Sequence, residues 1–211
     1  MQMFVKVTEN GGANCYMLCG NDWAVIIDPG SADKEIVDFA RENSSKHYKY
    51  ILLTHCHYDH ITGVPKIKEI FGGKTVIGKG DAAGLEDAVI NLSGTWTDNP
   101  VCFSADITVD DGDTIDLGTD KISVMQTPGH TAGCVCYIMG DDMFTGDTLF
   151  KQSVGRYDLP TSSVRQLLAS LKKLGAIEKN YNLYPGHGEK TTLEDEKKYN
   201  NFFRRVLNEI K

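Results

Sequence analysis

The sequence predicts an α/β fold in which stacked β-sheets carry helical outer layers. Three observations predict it. Short apolar runs, bounded by Gly, Asp, Asn or Pro, recur along the 211 residues and read as buried strands. Other segments space their apolar residues at three and four and read as amphipathic helices. The two kinds alternate as a loose duplication, each half running strands first and helix afterwards, so the sheets have helices to cover their outer faces.

In chain order, Phe4–Thr8 and Cys15–Leu18 are short strands on either side of an Asn10-Gly11-Gly12 turn signal. Trp23–Ile27 is an apolar run that stops at Asp28-Pro29-Gly30. Ala32–Asn43 sets Ile36, Val37, Phe39 and Ala40 among charges and predicts a helix. Tyr50–Leu53 is a buried strand. After Thr62-Gly63, the residues Val64, Ile67, Ile70 and Phe71 lie at helical spacing, and Thr75–Ile77 is a short strand. Residues 80–106 are less regular and predict a short helix near 81–89, then a long loop through Trp96 to Ser104. Strands follow at Ile107–Val109, Thr114–Leu117, Lys121–Gln126, Cys134–Met139 and Met143–Phe144. Ser162–Leu174 turns Val164, Leu167, Leu168, Leu171 and Leu174 to one face of a helix. Asn182–Tyr184 is a final strand, and Leu193–Ile210 a terminal helix. No linker or low-complexity tract intervenes, so residues 1–211 are expected to form one domain, as suits a length not far above the ~150 residues typical of one.

Composition excludes several classes of function. The chain is 41% hydrophobic and 24% charged, an ordinary globular balance. Its net charge of −7 repels phosphate backbones and argues against a nucleic-acid partner. No apolar run approaches the ~18 residues of a membrane span, and the opening MQMFVKVTEN lacks the apolar stretch of a signal peptide. Cys15, Cys19, Cys56, Cys102, Cys134 and Cys136 do not resemble a small secreted disulfide framework. The expectation is a cytoplasmic protein with reduced thiols and no membrane partner.

The histidines carry the functional signal. Thr54-His55-Cys56-His57-Tyr58-Asp59-His60 holds three of the six. His130 lies in Thr127-Pro128-Gly129-His130-Thr131 and His187 in Tyr184-Pro185-Gly186-His187-Gly188, whereas His47 is isolated and reads as a surface or packed residue. Apart from His47, each follows a predicted strand and sits in a turn-rich loop, where a rigid scaffold presents ligands. His55 and His57, two apart in an extended segment, point the same way and reach one metal. Asp59 and His60 turn into the next helix and face a second direction, which supports two adjacent metals. Two neighbouring dications need an anionic bridge, and Asp147, just after a buried strand, is the candidate. Nitrogen and oxygen donors without paired cysteine ligands fit zinc, manganese or iron. Cys56 is expected to point away from the ligands and to pack.

With these residues in view, the chain resembles the metallo-β-lactamase-fold hydrolases over nearly its whole length. Asp28 closes the first of that superfamily's five motifs, His55 to His60 is the second, and His130, Asp147 and His187 complete the set in order. The resemblance implies a four-layer αβ/βα sandwich with the metals at one edge of the two sheets. It implies that His55, His57 and His130 hold the first metal and that Asp59, His60 and His187 hold the second. Asp147 would bridge them, and Asp28 would orient a ligand by hydrogen bonding from behind. Lactamases of this fold usually lack the equivalent of His60, and flavodiiron proteins usually carry Glu in place of His57. The segments from Phe144 to Pro160 and from Gly186 to Phe203 are similar to the short glyoxalase-II-like (hydroxyacylglutathione hydrolase-like) proteins. Arg156 matches a basic position that holds glutathione in longer enzymes; Asp158 stands where those enzymes have an aromatic residue, with Tyr157 beside it. Nothing in the chain matches their separate C-terminal helical domain.

The function so implied is hydrolysis of a small-molecule thioester of the S-lactoylglutathione type by a metal-activated water. Asp59 and Asp147 serve the catalytic centre, two divalent ions serve as cofactors (zinc first, iron or manganese as alternatives), and Arg156 and Tyr157 bind substrate. The loop from Asp81 to Asn99 is a candidate cover. Two alternatives stand beside this reading. A persulfide dioxygenase of the same fold would use one iron on His55, His130 and Asp147. A non-catalytic metal-binding module would use the same ligands without turnover.

Overall fold

Strand alternation and helix periodicity place almost every large apolar side chain in one of three layers. The computed structural model describes residues 2–7, 12–43 and 48–208. Thr8, the Asn10-Gly11 turn signal, His47 and the end of the terminal helix at Glu209–Ile210 lie outside the described residues.

Strands β1 (Gln2–Val7), β2 (Asn14–Cys19), β3 (Ala24–Ile27), β4 (Tyr48–Leu53), β5 (Lys74–Gly78) and β6 (Ile107–Val109) form the first sheet in that order. The first three are antiparallel, and β3 through β6 are parallel. Next come β7 (Thr114–Asp116), β8 (Lys121–Gln126), β9 (Val135–Met139) and β10 (Asp142–Gly146), and then a separate hairpin of β11 (Leu149–Phe150) and β12 (Ser153–Val154). With β13 (Asn182–Pro185) and β14 (Thr191–Thr192), the second sheet runs β14-β13-β10-β9-β8-β7. The helices are α1 (Lys34–Asn43), α2 (Tyr58–Ile61), α3 (Val64–Phe71), α4 (Ala82–Leu85), α5 (Ser93–Trp96), α6 (Val164–Gly175), α7 (Leu193–Tyr199) and α8 (Asn201–Asn208).

The inner faces of the two sheets meet through Leu18, Val25, Ile27 and Leu52 from the first and Val124, Tyr137 and Phe144 from the second. The intervening residues of the same strands point outward. Met17, Ala24, Ile26 and Ile51 pack under Ile36 and Ala40 of α1 and Val64 and Ile67 of α3. On the far side, Cys136, Met143 and Leu183 pack under Leu167, Leu171 and Leu174 of α6 and Phe203 and Val206 of α8. The architecture is the expected four-layer αβ/βα sandwich of the metallo-β-lactamase fold, held by three parallel apolar layers. Cys56 is buried in the outer layer of the first sheet, as expected. Among the described residues, no helix is long and apolar enough to cross a membrane.

Departures from the sequence expectation have local causes. The helix near 81–89 stops at Leu85, because Asp87 Oδ1 accepts the N–H groups of Val89 and Ile90 and starts a new turn. The terminal helix breaks at Asn200, whose backbone is extended at ψ 108. Its buried side chain donates to Ser153 O (3.0 Å) and Glu196 Oε2 (2.9 Å) and accepts from Phe203 N (3.0 Å), so it caps α8 and ties the helical layer to the β11–β12 hairpin. Asn200→Ala is expected to cost about 1–3 kcal/mol, because it strands those buried partners. Tyr199→Ala, at a half-exposed neighbour, should cost under about 0.5 kcal/mol; urea denaturation midpoints check both.

Candidate metal centre

Five loops reach one edge because the strands before them point the same way. In the first sheet, β3 and β4 are parallel and end beside Asp28 and Thr54-His55. In the second, β8 and β10 are each antiparallel to β9, and β13 is parallel to β10. The carboxyl ends of β8, β10 and β13 therefore launch the loops of His130, Asp147 and His187 together. The edges are stitched where Val135 N, in the second sheet, donates to Thr54 O in the first at 2.9 Å.

The structure brings all seven expected ligands together. His57 Nδ1 lies 2.9 Å from His130 Nε2, and the rings of His55 and His130 have centroids 4.8 Å apart. On the other side, His187 Nε2 lies 3.1 Å from Asp59 Oδ2 and His60 Nε2 lies 3.8 Å from the same oxygen. Asp147 sits between the groups. Its Oδ1 is 3.3 Å from His60 Nε2, and its Oδ2 is 3.5 Å from His130 Nε2 and 3.6 Å from His187 Nε2. Ligand atoms of His55, His57 and His130 fall within 4.8 Å of one another, as do those of Asp59, His60 and His187.

Hydrogen bonds behind the rings decide which nitrogen faces inward. Asp28 accepts Thr54 N at 2.8 Å and Thr54 Oγ1 at 2.6 Å, and its Oδ2 lies 2.9 Å from His60 Nδ1. Thr54 Oγ1, already donating, stands 3.1 Å from His55 Nδ1. His130 Nδ1 donates to the carbonyl of Arg156 at 2.8 Å. His55, His60 and His130 thus turn Nε2 to the centre, and His57 turns Nδ1. The Nε2 atoms of His55, His57 and His60 and Oδ1 of Asp147 are buried with no hydrogen-bond partner. Orphaned buried acceptors are costly, and a cation on these inward atoms removes the cost at His55, His60 and Asp147. The donor set of imidazole and carboxylate fits zinc, iron or manganese.

Charge is already arranged for cations. Burial, then the neighbouring imidazoles, push the His55 ring well below its ordinary range, and burial with His130 lowers His57 to about 3. Burial also opposes charge on His60, but the carboxylates of Asp147, Asp28 and Asp59 outweigh it and raise that ring well above its usual value. His187 is raised too, its burial outweighed by Asp59 and Asp147. Burial alone would raise Asp59 and Asp147, yet the facing histidines hold both below the ordinary carboxylate range. Beside the ligands opens a cavity of about 470 Å³. Its apolar walls are Leu92, Trp96, Phe150, Val154 and Leu159.

Residues 8–187 match the model of the metallo-beta-lactamase superfamily. The chain belongs to the metallo-β-lactamase superfamily. Within it, the chain is 33% identical over 211 residues to a probable metallo-hydrolase of Streptococcus pyogenes, covering 96% of this chain and 90% of that protein. It is 35% identical over 175 residues to a hydroxyacylglutathione hydrolase of Francisella philomiragia, covering 82% of this chain and 61% of that one. Among solved structures, the BLEG-1 B3 metallo-beta-lactamase superposes with a TM-score of 0.87 at 31% identity, over 96% of this chain and 99% of that one. TTHA1623 in a di-iron-bound form gives 0.82 at 30% identity, over 94% and 99%.

Other expectations need adjustment within the superfamily fold. Arg156 lines the cavity, but its guanidinium is bidentate to Asp158 at 2.7 and 2.9 Å, so its side chain is already engaged. Tyr157 is absent from the cavity lining; its ring centroid lies 6.3 Å from that of Phe202 in the helical layer. The cover at Asp81 to Asn99 is a wall, with Leu92 and Trp96 as its contribution. Asp81 itself is a positioning residue that motif reading passes over. Buried, it accepts Cys56 N (3.0 Å), Thr131 Oγ1 (2.6 Å) and Gly133 N (2.7 Å), and so clamps the loop of His55 and His57 to that of His130. Asn14 does the same for His187, donating to Pro185 O (3.0 Å) and Gly188 O (2.9 Å). Gly186 is required by close approach, since a Cβ there would lie 2.2 Å from Asp147 Oδ1.

The opposed histidine shifts predict an order of metal loss. Ligand sites bind metal in competition with protons. His55 and His57 are depressed and stay proton-free, whereas His60 and His187 are raised and take protons first as the pH falls. Were an ion held on each group, acidification should release the one on Asp59, His60 and His187 before the one on His55, His57 and His130, read as metal per chain after dialysis at stepwise lower pH.

Proposed function

We propose that this chain is a binuclear metal-dependent hydrolase that cleaves a small-molecule acyl thioester, with zinc as the first choice of metal and iron or manganese as alternatives. The observation that carries the reading is Asp147, whose carboxylate lies between the two histidine groups, with Oδ1 3.3 Å from His60 and Oδ2 3.5 and 3.6 Å from His130 and His187. His55, His57 and His130 would hold one cation, Asp59, His60 and His187 the other, and Asp147 both. Bound there, a pair of divalent ions supplies an ionised water at neutral pH and a Lewis acid for a carbonyl oxygen.

The chain's own residues supply position and a dry wall. Asp28, Thr54 and the Arg156 carbonyl lock the rings before any ligand arrives. Leu92, Trp96, Phe150, Val154 and Leu159 keep water from the flanks of the reacting group. With its histidines engaged as metal ligands, the lining would offer no strong general acid among the described residues. Asp59 and Asp147 are held ionised, and Tyr58 keeps its proton because burial and Asp59 raise its phenol. A departing thiolate, whose parent thiol has a pKa near ~8.5, needs no such acid, which favours a thioester over a substrate with a strongly basic leaving group. The hydroxyacylglutathione hydrolase relative points the same way. A single iron on His55, His130 and Asp147 would leave His57, Asp59, His60 and His187 gathered around nothing, so the two-ion reading uses more of the structure.

Metal quantification on the purified protein, with a screen of S-lactoylglutathione, other thioesters, lactones, a β-lactam and glutathione persulfide, tests this. The expected result is about two metals per chain and oxygen-independent thioester cleavage, reduced at least about a hundredfold in Asp147→Ala. One iron per chain with oxygen uptake on the persulfide overturns it, and so does a β-lactam as the preferred substrate. Turnover unchanged in Asp147→Ala would identify a contaminating enzyme.

A further inference from the structure

The walls of the cavity say what should flank the thioester. We propose that the cavity takes an uncharged, apolar thioester and that Asp158 turns carboxylate-bearing substrates away by occupying Arg156. The inference rests on the thioester reading above and deepens it.

Among the described residues, Arg156 carries the one guanidinium or ammonium group in the lining. Its Nε and Nη2 donate to the two oxygens of Asp158 at 2.7 and 2.9 Å. That is the fork geometry with which arginine would grip a substrate carboxylate, and it is taken. A second carboxylate at the same fork would have to displace the first and then sit beside it as a like charge. Outside the metal-ligand residues, the cavity's one arginine thus has its charge partly neutralised and its Nε–Nη2 edge filled, which weakens the grip it offers an incoming carboxylate.

Apart from the metal-ligand residues, the remainder of the wall is Tyr58 and five apolar side chains. Trp96 is 61% exposed, an unusual degree for an indole. The ring of Tyr58 lies parallel to it, 5° between planes and 6.5 Å between centroids. Leu92 shares the lining with them, at φ 67 in the left-handed region, a conformation that costs a leucine energy. The strain is held by buried Asn91. Its Oδ1 accepts Ser93 N (2.9 Å), its Nδ2 donates to Val101 O (2.9 Å), and its carbonyl accepts Tyr58 N (2.8 Å). A strained apolar residue fixed against an open cavity is a feature of ligand clamps, and an acyl or thiol chain covering Trp96 and Leu92 would remove their apolar surface from water.

Two non-hydrolysable thioethers separate the possibilities: S-hexylglutathione, which bears carboxylates, and the neutral S-hexyl-N-acetylcysteamine. Each is titrated into the zinc-loaded full chain by calorimetry. Tryptophan fluorescence is followed in parallel, since Trp23 is buried in the inter-sheet core and Trp96 lies at the cavity. The neutral ligand should bind at least as tightly as S-hexylglutathione and shift the emission. Asp158→Asn should tighten S-hexylglutathione about fivefold and leave the neutral ligand unchanged, and adding Arg156→Gln should remove that gain. Trp96→Ala should weaken the neutral ligand about tenfold. Tighter binding of S-hexylglutathione by the unaltered chain, a ligand ratio unmoved by Asp158→Asn, or an unmoved affinity in Trp96→Ala overturns the inference alone. If neither thioether binds, the thioester reading falls and takes this one with it.

Discussion

The metal centre depends on the contact between Asp28 and Thr54. Asp28 closes β3 in the left-handed region, at φ 51, where a side chain other than glycine is strained. Three bonds hold it there: the amide and hydroxyl of Thr54 and the Nδ1 of His60. Thr54 passes the constraint on. Its hydroxyl faces His55 Nδ1, its carbonyl takes the amide of Val135 across from the other sheet, and its side chain abuts Gly146, leaving no room for a Cβ there. Ligands from both sheets are thereby placed relative to one point.

Most of this architecture was legible in the sequence, because its signals are local. Strands, amphipathic helices and the His-x-His-x-Asp-His run are patterns within a few residues, and the loops of His130, Asp147 and His187 announce themselves as polar turns after apolar runs. What stayed illegible is long-range. Asp81 looks like one acidic residue among many until Thr131 and Gly133, some fifty positions on, are seen to bond to it. The break at Asn200 answers to Ser153 in a hairpin too short to show any periodicity. Arg156 and Asp158 were both visible, but only side-chain geometry shows that one neutralises the other.

The four non-glycine residues with positive φ among those described show how the fold divides its work. Asp28 stands behind His60 and Leu92 lines the cavity. Gln152 turns the hairpin between Phe150 and Val154, both in the lining, and Thr161 accepts Ala132 N beside the His130 loop. Backbone strain of this kind costs about 1–3 kcal/mol per residue, and here it collects along one edge. Three apolar layers away from that edge carry the stability that tolerates it. Buried imidazoles and unpaired acceptors add to the load, and they are the features that a cation relieves. The arrangement least favourable to the empty protein is thus the one best preorganised for ions. Metal binding should contribute to the stability of this edge far more than to the distant cores.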